Sequence, residues 1–420
     1  MPFELFIGLR YLKAKRKSTF ISIITFISTA GVALGVMALI VVLAVMTGFE
    51  NDLKEKILGT NAHIVVIKSG APMEEYRAVI EKLKLFTGVQ AATPFIYNQV
   101  MLSSGKNVSG VVLRGIDVAT DRQVTRLSTS IVEGSIDSLE PHMGQGSDAT
   151  PGLMVGKELA KHLNLLLGDR VNVISPMGSI TPLGMMPRMK PFKVTGIFNT
   201  GMFEYDSTLA YISLDQAQRF FDLGDTVTGI QLKVADVYHT DELARSINRE
   251  MGINFYARDW MQMNKNILFA LKTEKIVMFI ILTLIVLVAA FGIASTLFMV
   301  VMEKTRDIAI LKSMGATAAS IMKIFVLEGL IIGIIGTVVG VISGLLIALN
   351  LEPIITLIQK ITGQNFFNKD IYYLDHFPSL VVPADVVLIS ATALLISFLA
   401  TLYPAWQASR MLPAEALRYE

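Results

Sequence analysis

The sequence predicts an α-helical membrane protein with four transmembrane helices and a large α+β extracytoplasmic domain inserted between helices 1 and 2. Three observations carry that prediction. Charged residues make up 17% of the chain, below the roughly 25% usual for soluble proteins. The deficit falls in four uncharged blocks, residues 18–49, 276–302, 329–351 and 386–409. Between the first two blocks, from Gly48 to Lys275, the chain changes to charged segments and strand-like apolar runs.

Each block is long enough to span, since about 20 apolar residues cross ~30 Å of hydrocarbon. The expected organisation is a cytoplasmic amphipathic N-terminal segment at 1–17, a first span at 18–49 and an extracytoplasmic domain at 50–272. A second span at 273–302, a cytoplasmic coupling helix at 303–317 and a third span at 320–351 follow. A short outer segment at 352–384, a fourth span at 385–409 and a cytoplasmic tail at 410–420 complete it. A cleaved signal peptide is the alternative for the first block, because Arg10, Lys13, Lys15, Arg16 and Lys17 precede it. A signal h-region is only about 7–15 residues and ends at a small-residue site, so a retained span is the better reading. The same basic cluster sets orientation, because short cytoplasmic segments carry the positive excess. Arg410 and Arg418 lie on the same side after four spans, so both termini are expected in the cytoplasm and the large domain outside.

The net charge of +2 offers no basic surface for nucleic acid. There are no cysteines, which excludes disulfides and thiolate metal sites. The five histidines, His63, His142, His162, His239 and His376, show no metal-ligand spacing and read as structural or exposed. No G-x-S-x-G and no P-loop sequence occurs, so the chain is expected to be non-catalytic, with no metal and no nucleotide of its own.

Within the insertion, apolar runs at 63–67, 95–102, 111–116, 171–174, 192–198, 209–212 and 230–234 read as strands. Segments 73–85, 157–166, 215–221 and 240–251 carry apolar residues at helical spacing. Together they predict an antiparallel or mixed sheet with helices. Residues 175–191 break the rhythm. Four prolines and two glycines there oppose regular pairing, yet Met177, Ile180, Leu183, Met185, Met186 and Met189 are apolar side chains on what should be a protruding hairpin. Folding back onto the domain core is one reading; a semi-rigid docking arm is the sharper one, since methionine suits surfaces that bind varied apolar partners.

The spans are patterned too. Gly336, Gly340 and Gly344 recur every fourth residue, with Gly333 nearby, and Gly31 and Gly35 do the same in the first span. Such faces let helices approach closely, either within the chain or across a dimer seam. Glu328, near the start of the third span, is expected at the membrane interface rather than in a proton relay. After the second span, residues 303–317 alternate charged and apolar positions and end at Gly315, which predicts a short amphipathic helix.

Three stretches carry a resemblance to a known family. They are E-K-T-R-D-I-A-I-L-K-S-M-G-A-T at 303–317, the E-G-x-x-x-G-x-x-G series from Glu328, and Y-P-A-x-x-A-S-R-x-x-P-x-x-A-L-R at 403–418. They resemble the FtsX-like permeases of type VII, or MacB/FtsX-like, ABC transporters. The N-terminal F-E-L-F-I-G-L-R-Y-L at 3–12 and the first span are similar to those of the lipoprotein-releasing permeases, the LolC/LolE group. Residues 175–191 resemble the hook of the LolC branch at Thr181, Pro182, Gly184 and Pro187, and the match continues at Phe192, Val194, Gly196 and Phe198.

The resemblance implies a permease subunit that extracts acylated lipoproteins from the outer leaflet of the inner membrane of a Gram-negative bacterium. It would pass them to a LolA-like periplasmic chaperone. ATP and Mg would be bound by separate LolD-like ATPase subunits, and the permease would pair with a LolE-like chain or with a second copy of itself. The chaperone would meet Pro176, Ile180, Pro182, Leu183, Met186, Pro187, Met189 and Lys190. Lys190 matches a basic position of the family, whereas Met189 replaces a polar one. The ATPase would meet the segment holding Glu303, Arg306, Ile308, Leu311 and Gly315, as contact or geometry positions. Val42, Val45, Met46, Phe279 and Leu282, near the outer span ends, are the positions implied for acyl chains, and their apolar character fits membrane lipids equally. Exposing an acyl chain to water costs ~0.8 kcal/mol per CH₂, so such a cargo needs external work and a sheltered route.

Alternatives are an FtsX-like or MacB-like mechanotransmission permease for another substrate, and a membrane-anchored extracytoplasmic sensor or scaffold. A fused-ATPase pump is disfavoured by the 17 residues before the first span. A cell-division regulator is expected to have a smaller outer domain without the arm, and no sequence here resembles a signalling output domain.

Overall fold

A computed structural model of the protein describes residues 19–140, 150–181, 184–363 and 378–412, with backbone alone at 19–22, 177–181 and 184–185. The motif at 3–12, the N-terminal basic cluster, Pro182, Leu183, His142, His376 and everything beyond Leu412 lie outside the described residues. The chain forms two compact units, dividing between Asn51 and Asp52 and between Leu268 and Phe269.

In chain order the described elements are α1 (Thr19–Thr60), β1 (Ile64–Lys68), α2 (Tyr76–Lys84), β2 (Val89–Ser104), β3 (Asn107–Ile116) and α3 (Val118–Val124). Next come β4 (Ile131–Gly134), β5 (Gly152–Gly156), α4 (Lys157–Leu163), β6 (Arg170–Thr181), β7 (Gly184–Phe198), α5 (Phe203–Thr208) and β8 (Leu209–Ser213). Then follow α6 (Leu214–Phe221), β9 (Gly229–Val234), α7 (Thr240–Met251), β10 (Phe255–Asp259) and α8 (Trp260–Met263). The chain ends with α9 (Lys265–Glu303), α10 (Thr305–Ser313), α11 (Ala318–Leu349), α12 (Leu351–Thr362) and α13 (Pro383–Arg410).

Four helices, α1, α9, α11 and α13, are long and apolar enough to cross a membrane. Their core joins Val32, Val36 and Leu39 of α1 to Leu282, Val286 and Ile293 of α9, Ile332 of α11 and Ile389 of α13. Glycine makes this closeness possible. A Cβ on Gly340 would lie 2.7 Å from both the Ala33 carbonyl oxygen and Val36 Cβ, and one on Gly336 would lie 2.9 Å from Val32 Cβ. Gly344 faces Ile40, Gly333 faces Ser397, and Gly35 faces Val286. Intrachain packing therefore accounts for both glycine faces.

The inserted unit is α+β with a mixed ten-stranded sheet, ordered β10-β1-β9-β2-β3-β8-β5-β7-β4, and β6 pairs with β2 and β7. Two pairings, β3 with β8 and β5 with β7, are parallel. All seven sequence-predicted runs lie in or overlap strands, and the four predicted helices correspond to α2, α4, α6 and α7. The main core joins alternate strand residues such as Ile64, Val66, Leu113, Val173 and Leu232 to Tyr76, Leu159, Ala217 and Ile247 of the helices. A second cluster around Ile116, Met154, Phe198 and Tyr211 packs with Val118 of α3 and Tyr205 of α5.

The prolines at 175–191 make the pairing irregular without preventing the expected hairpin. Strands β6 and β7 form an antiparallel hairpin, with Ser175 opposite Arg188 and Ser179 opposite Met186. The register shifts between those pairs, so Pro176 and Pro187 fall in a bulged zone. β2 reaches β6 only at residues 172–174, and β5 reaches β7 only from Lys193 onward. Beyond those points neither edge of the hairpin pairs with another described strand, and a missing N–H there costs no ladder bond.

Candidate functional site

Three regions hold the predicted positions. The first is the hairpin arm. Met186 and Met189 are 55% and 63% exposed, and Pro187 and Pro176 are exposed as well. Met186 and Met189 thus stand off the domain core. Ile180 belongs to the paired backbone opposite Met185. Lys190 departs from the expected outward contact, because its Nζ donates to Gln216 Oε1 at 3.2 Å and lies 5.8 Å from the Phe192 ring centroid. Burial lowers its pKa, opposed by Asp215 and reinforced by Arg219. Arg188, not singled out from sequence, donates to the Phe220 carbonyl at 3.3 Å and to Asp222 Oδ2 at 3.1 Å. The two cations tie the arm's base to α6, and only its outer part is left free to meet another molecule.

The second region is α10 and the turn after it. Ala316 N–H donates to the Leu311 carbonyl and Gly315 N–H to the Lys312 carbonyl, each at 3.0 Å. That pair of bonds closes the helix as a Schellman motif, and Gly315 supplies the positive φ of 100° it needs. Ile308 is buried and Leu311 partly buried against Val300, Ile321, Phe325 and Ala405. Their side chains therefore position the helix rather than meet a partner. Glu303 and Arg306 are exposed, joined by Ile310 and by Met314, which is 81% exposed. Lys312 adds a clasp that the sequence did not reveal. Its Nζ donates to the carbonyls of Ser409 and Met411 at 2.6 and 2.8 Å, completing the C-terminus of α13 where the helix dipole favours a cation.

The third region is the outer half of α1 and α9. Leu282 is buried in the four-helix core, and Val42 and Phe279 pack against that core. Val45 and Met46 are half-buried. The burial of Leu282 removes it from a lipid-facing set. Helix α9 instead exposes Ile276, Ile280, Leu284, Val288 and Phe291. Nearby, Lys275 Nζ donates to Thr47 Oγ1 and pairs with Asp385 Oδ2, both at 3.1 Å, joining three spans. Glu328 is 3% exposed, and its Oε2 lacks a hydrogen-bond partner among the described residues. Of the described histidines, His63 is buried and accepts from Val234 N–H at Nδ1, whereas His162 and His239 are exposed.

The MacB-like periplasmic core domain family matches residues 25–250, and the FtsX-like permease C-terminal family matches residues 279–413. Four spans with this inserted domain define a type VII permease of ABC transporters. The lipoprotein-releasing system transmembrane protein LolC of Xylella fastidiosa strain 9a5c is 40% identical over all of this chain and 99% of its own length. LolC of Neisseria meningitidis serogroup B is 38% identical over 99% of each chain, and LolE of Haemophilus influenzae 29% over 98% of each. The chain belongs to the lipoprotein-releasing permease family and is a membrane permease with a periplasmic domain.

Proposed function

We propose that this permease extracts acylated lipoproteins from the outer leaflet of the inner membrane and hands them to a periplasmic chaperone received at residues 175–191. Both termini lie in the cytoplasm in this reading. Separate ATPase subunits bind ATP and Mg and press on the exposed side of α10 and its two ends, through Glu303, Arg306, Ile310 and Met314. The partner permease is a LolE-like chain or a second copy. The observation that carries the reading is the pairing of full-length similarity to lipoprotein-releasing proteins with a methionine-bearing hairpin whose outer part is exposed.

The chemistry of the arm supports a transient partner. Flexible thioether side chains adapt to varied apolar surfaces, while the Arg188 and Lys190 contacts limit the ordering cost on binding. Photocrosslinking from Met186 and Met189 in native membranes, with the captured protein identified by mass spectrometry, tests the proposal. A periplasmic lipoprotein chaperone is the expected product. Crosslinks confined to the domain itself would sink the chaperone role and leave a permease for another substrate.

A further inference from the structure

The inserted domain contains a cavity of about 660 Å³, within the ~300–1,000 Å³ range of small-molecule sites. Its walls include Phe95 and Tyr97 of β2, Val112 of β3 and Tyr205 of α5. Asn61 Nδ2 donates to the Tyr205 hydroxyl at 2.7 Å, which fixes one wall. The chain enters and leaves the domain beside this cavity, since Asn61 and Asn264 both line it.

Arg114 also lines it, and Glu204 and Arg258 are the other charged residues of the lining. Its side chain belongs to a residue only 8% exposed, and its Nε has no hydrogen-bond partner. The guanidinium lies 5.8 Å from the Phe95 ring centroid and 5.9 Å from that of Tyr211. Those aromatic faces attract a cation, and the Tyr211 hydroxyl is hydrogen-bonded to the guanidinium, which leaves Nε as the nitrogen without an acceptor. Asp121, a buried carboxylate, takes its hydrogen bond from Thr125 Oγ1 at 2.7 Å and meets Arg114 through charge alone. Buried charges are kept where something compensates them, and guanidinium is suited to carboxylate or phosphate through parallel N–H bonds.

We propose that this cavity binds an anionic amphiphile, with its carboxylate or phosphate on Arg114 and its hydrocarbon chain against Phe95, Tyr97 and Val112. The assignment is independent of the chaperone role proposed for the arm. It requires a ligand with both parts. A soluble anion leaves the aromatic walls uncovered, and a neutral lipid leaves the Arg114 Nε without an acceptor.

The test uses the full-length permease in its complex, in nanodiscs doped with one of three diazirine probes: palmitate, phosphatidylglycerol or phosphatidylcholine. Labelled peptides are mapped by mass spectrometry. Labelling at residues 95–97 and 112 by palmitate or by phosphatidylglycerol, at least tenfold above phosphatidylcholine, is expected, and the better probe names the source of the anion. Arg114→Gln should lose that labelling about tenfold while Arg114→Lys retains part of it. Val112→Trp, which fills the cavity and keeps the cation, should abolish it, and thermal melting of each variant checks folding. Equal labelling by all three probes, no labelling of these peptides, or unchanged labelling in a folded Val112→Trp would each overturn the proposal.

Discussion

Helices α9 and α11 are equally uncharged over their central stretches, yet they solve opposite problems. On α11 the side facing α1 is stripped to hydrogen at Gly336, Gly340 and Gly344. On α9 the outward side carries Ile276, Ile280, Leu284, Val288 and Phe291, all large and exposed. In lipid the hydrophobic effect does not distinguish a partner helix from an acyl chain, so packing is selected by shape. Small residues mark where a helix must stay in place; large exposed ones mark where it meets lipid or a neighbour that can leave. Hydropathy alone does not separate the two roles, whereas glycine spacing does.

The largest expected effect breaks the fixed side. Gly340→Leu places a side chain where even a Cβ meets the Ala33 carbonyl oxygen and Val36 Cβ at 2.7 Å. Overpacking of a core costs about 1–3 kcal/mol, and here backbone stands in the way as well. Loss of folded permease from the membrane fraction, read by limited proteolysis and thermal melting in detergent, is the expected outcome. Unchanged melting would mean that α1 and α11 are not in contact. The matched change on the other side, Val288→Ala, should leave melting within about 0.5 kcal/mol of wild type, as surface substitutions usually do.

The second effect concerns coupling. Lys312→Met keeps the aliphatic stem and removes the ammonium that holds Ser409 and Met411. Hydrogen bonds to charged groups contribute about 1.5–3 kcal/mol, so α10 should loosen from the end of α13. With the ATPase subunits bound, the expected result is continued ATP hydrolysis with a several-fold fall in lipoprotein release. Lys312→Arg should recover part of it. A parallel fall in both activities would instead indicate failed assembly.

How much of this is legible in the sequence varies with the kind of residue. Uncharged blocks locate all four long helices, but not their ends: α1 runs on to Thr60 through a charged stretch that includes the Lys56–Asp52 pair at 3.3 Å. Charge marks the limit of the hydrocarbon and leaves helix propensity untouched. The strands that sequence reading misses in the domain have reasons of their own. β5 is five residues bounded by Gly152 and Gly156 and buried throughout, with no alternation to detect. β10 carries Arg258 and Asp259 at a sheet edge. The hairpin expected at 175–191 tolerates its prolines because the ban on proline holds for strands with two neighbours, and Pro176 and Pro187 have one among the described strands. Lys312 and Arg114 are invisible as special residues, since what sets them apart is a distant carbonyl in one case and an unsatisfied Nε on a cavity wall in the other.

The smallest effect on stability is expected in the arm, where an inward and an outward residue stand side by side. Met189→Asp changes a side chain that is 63% exposed, so melting of the domain should move by no more than about 0.5 kcal/mol. Transfer of lipoprotein to a soluble chaperone should nevertheless fall several-fold, because a charge on an apolar contact must be desolvated when the partner docks. Lys190→Met should do the reverse. It removes the donor to Gln216, disturbs the base of the arm and lowers melting, while leaving the outer contact chemistry intact. Transfer measured in detergent extracts beside thermal melting separates the pair. If both variants instead lost transfer and melting together, the arm would act as part of the domain core rather than as a docking element.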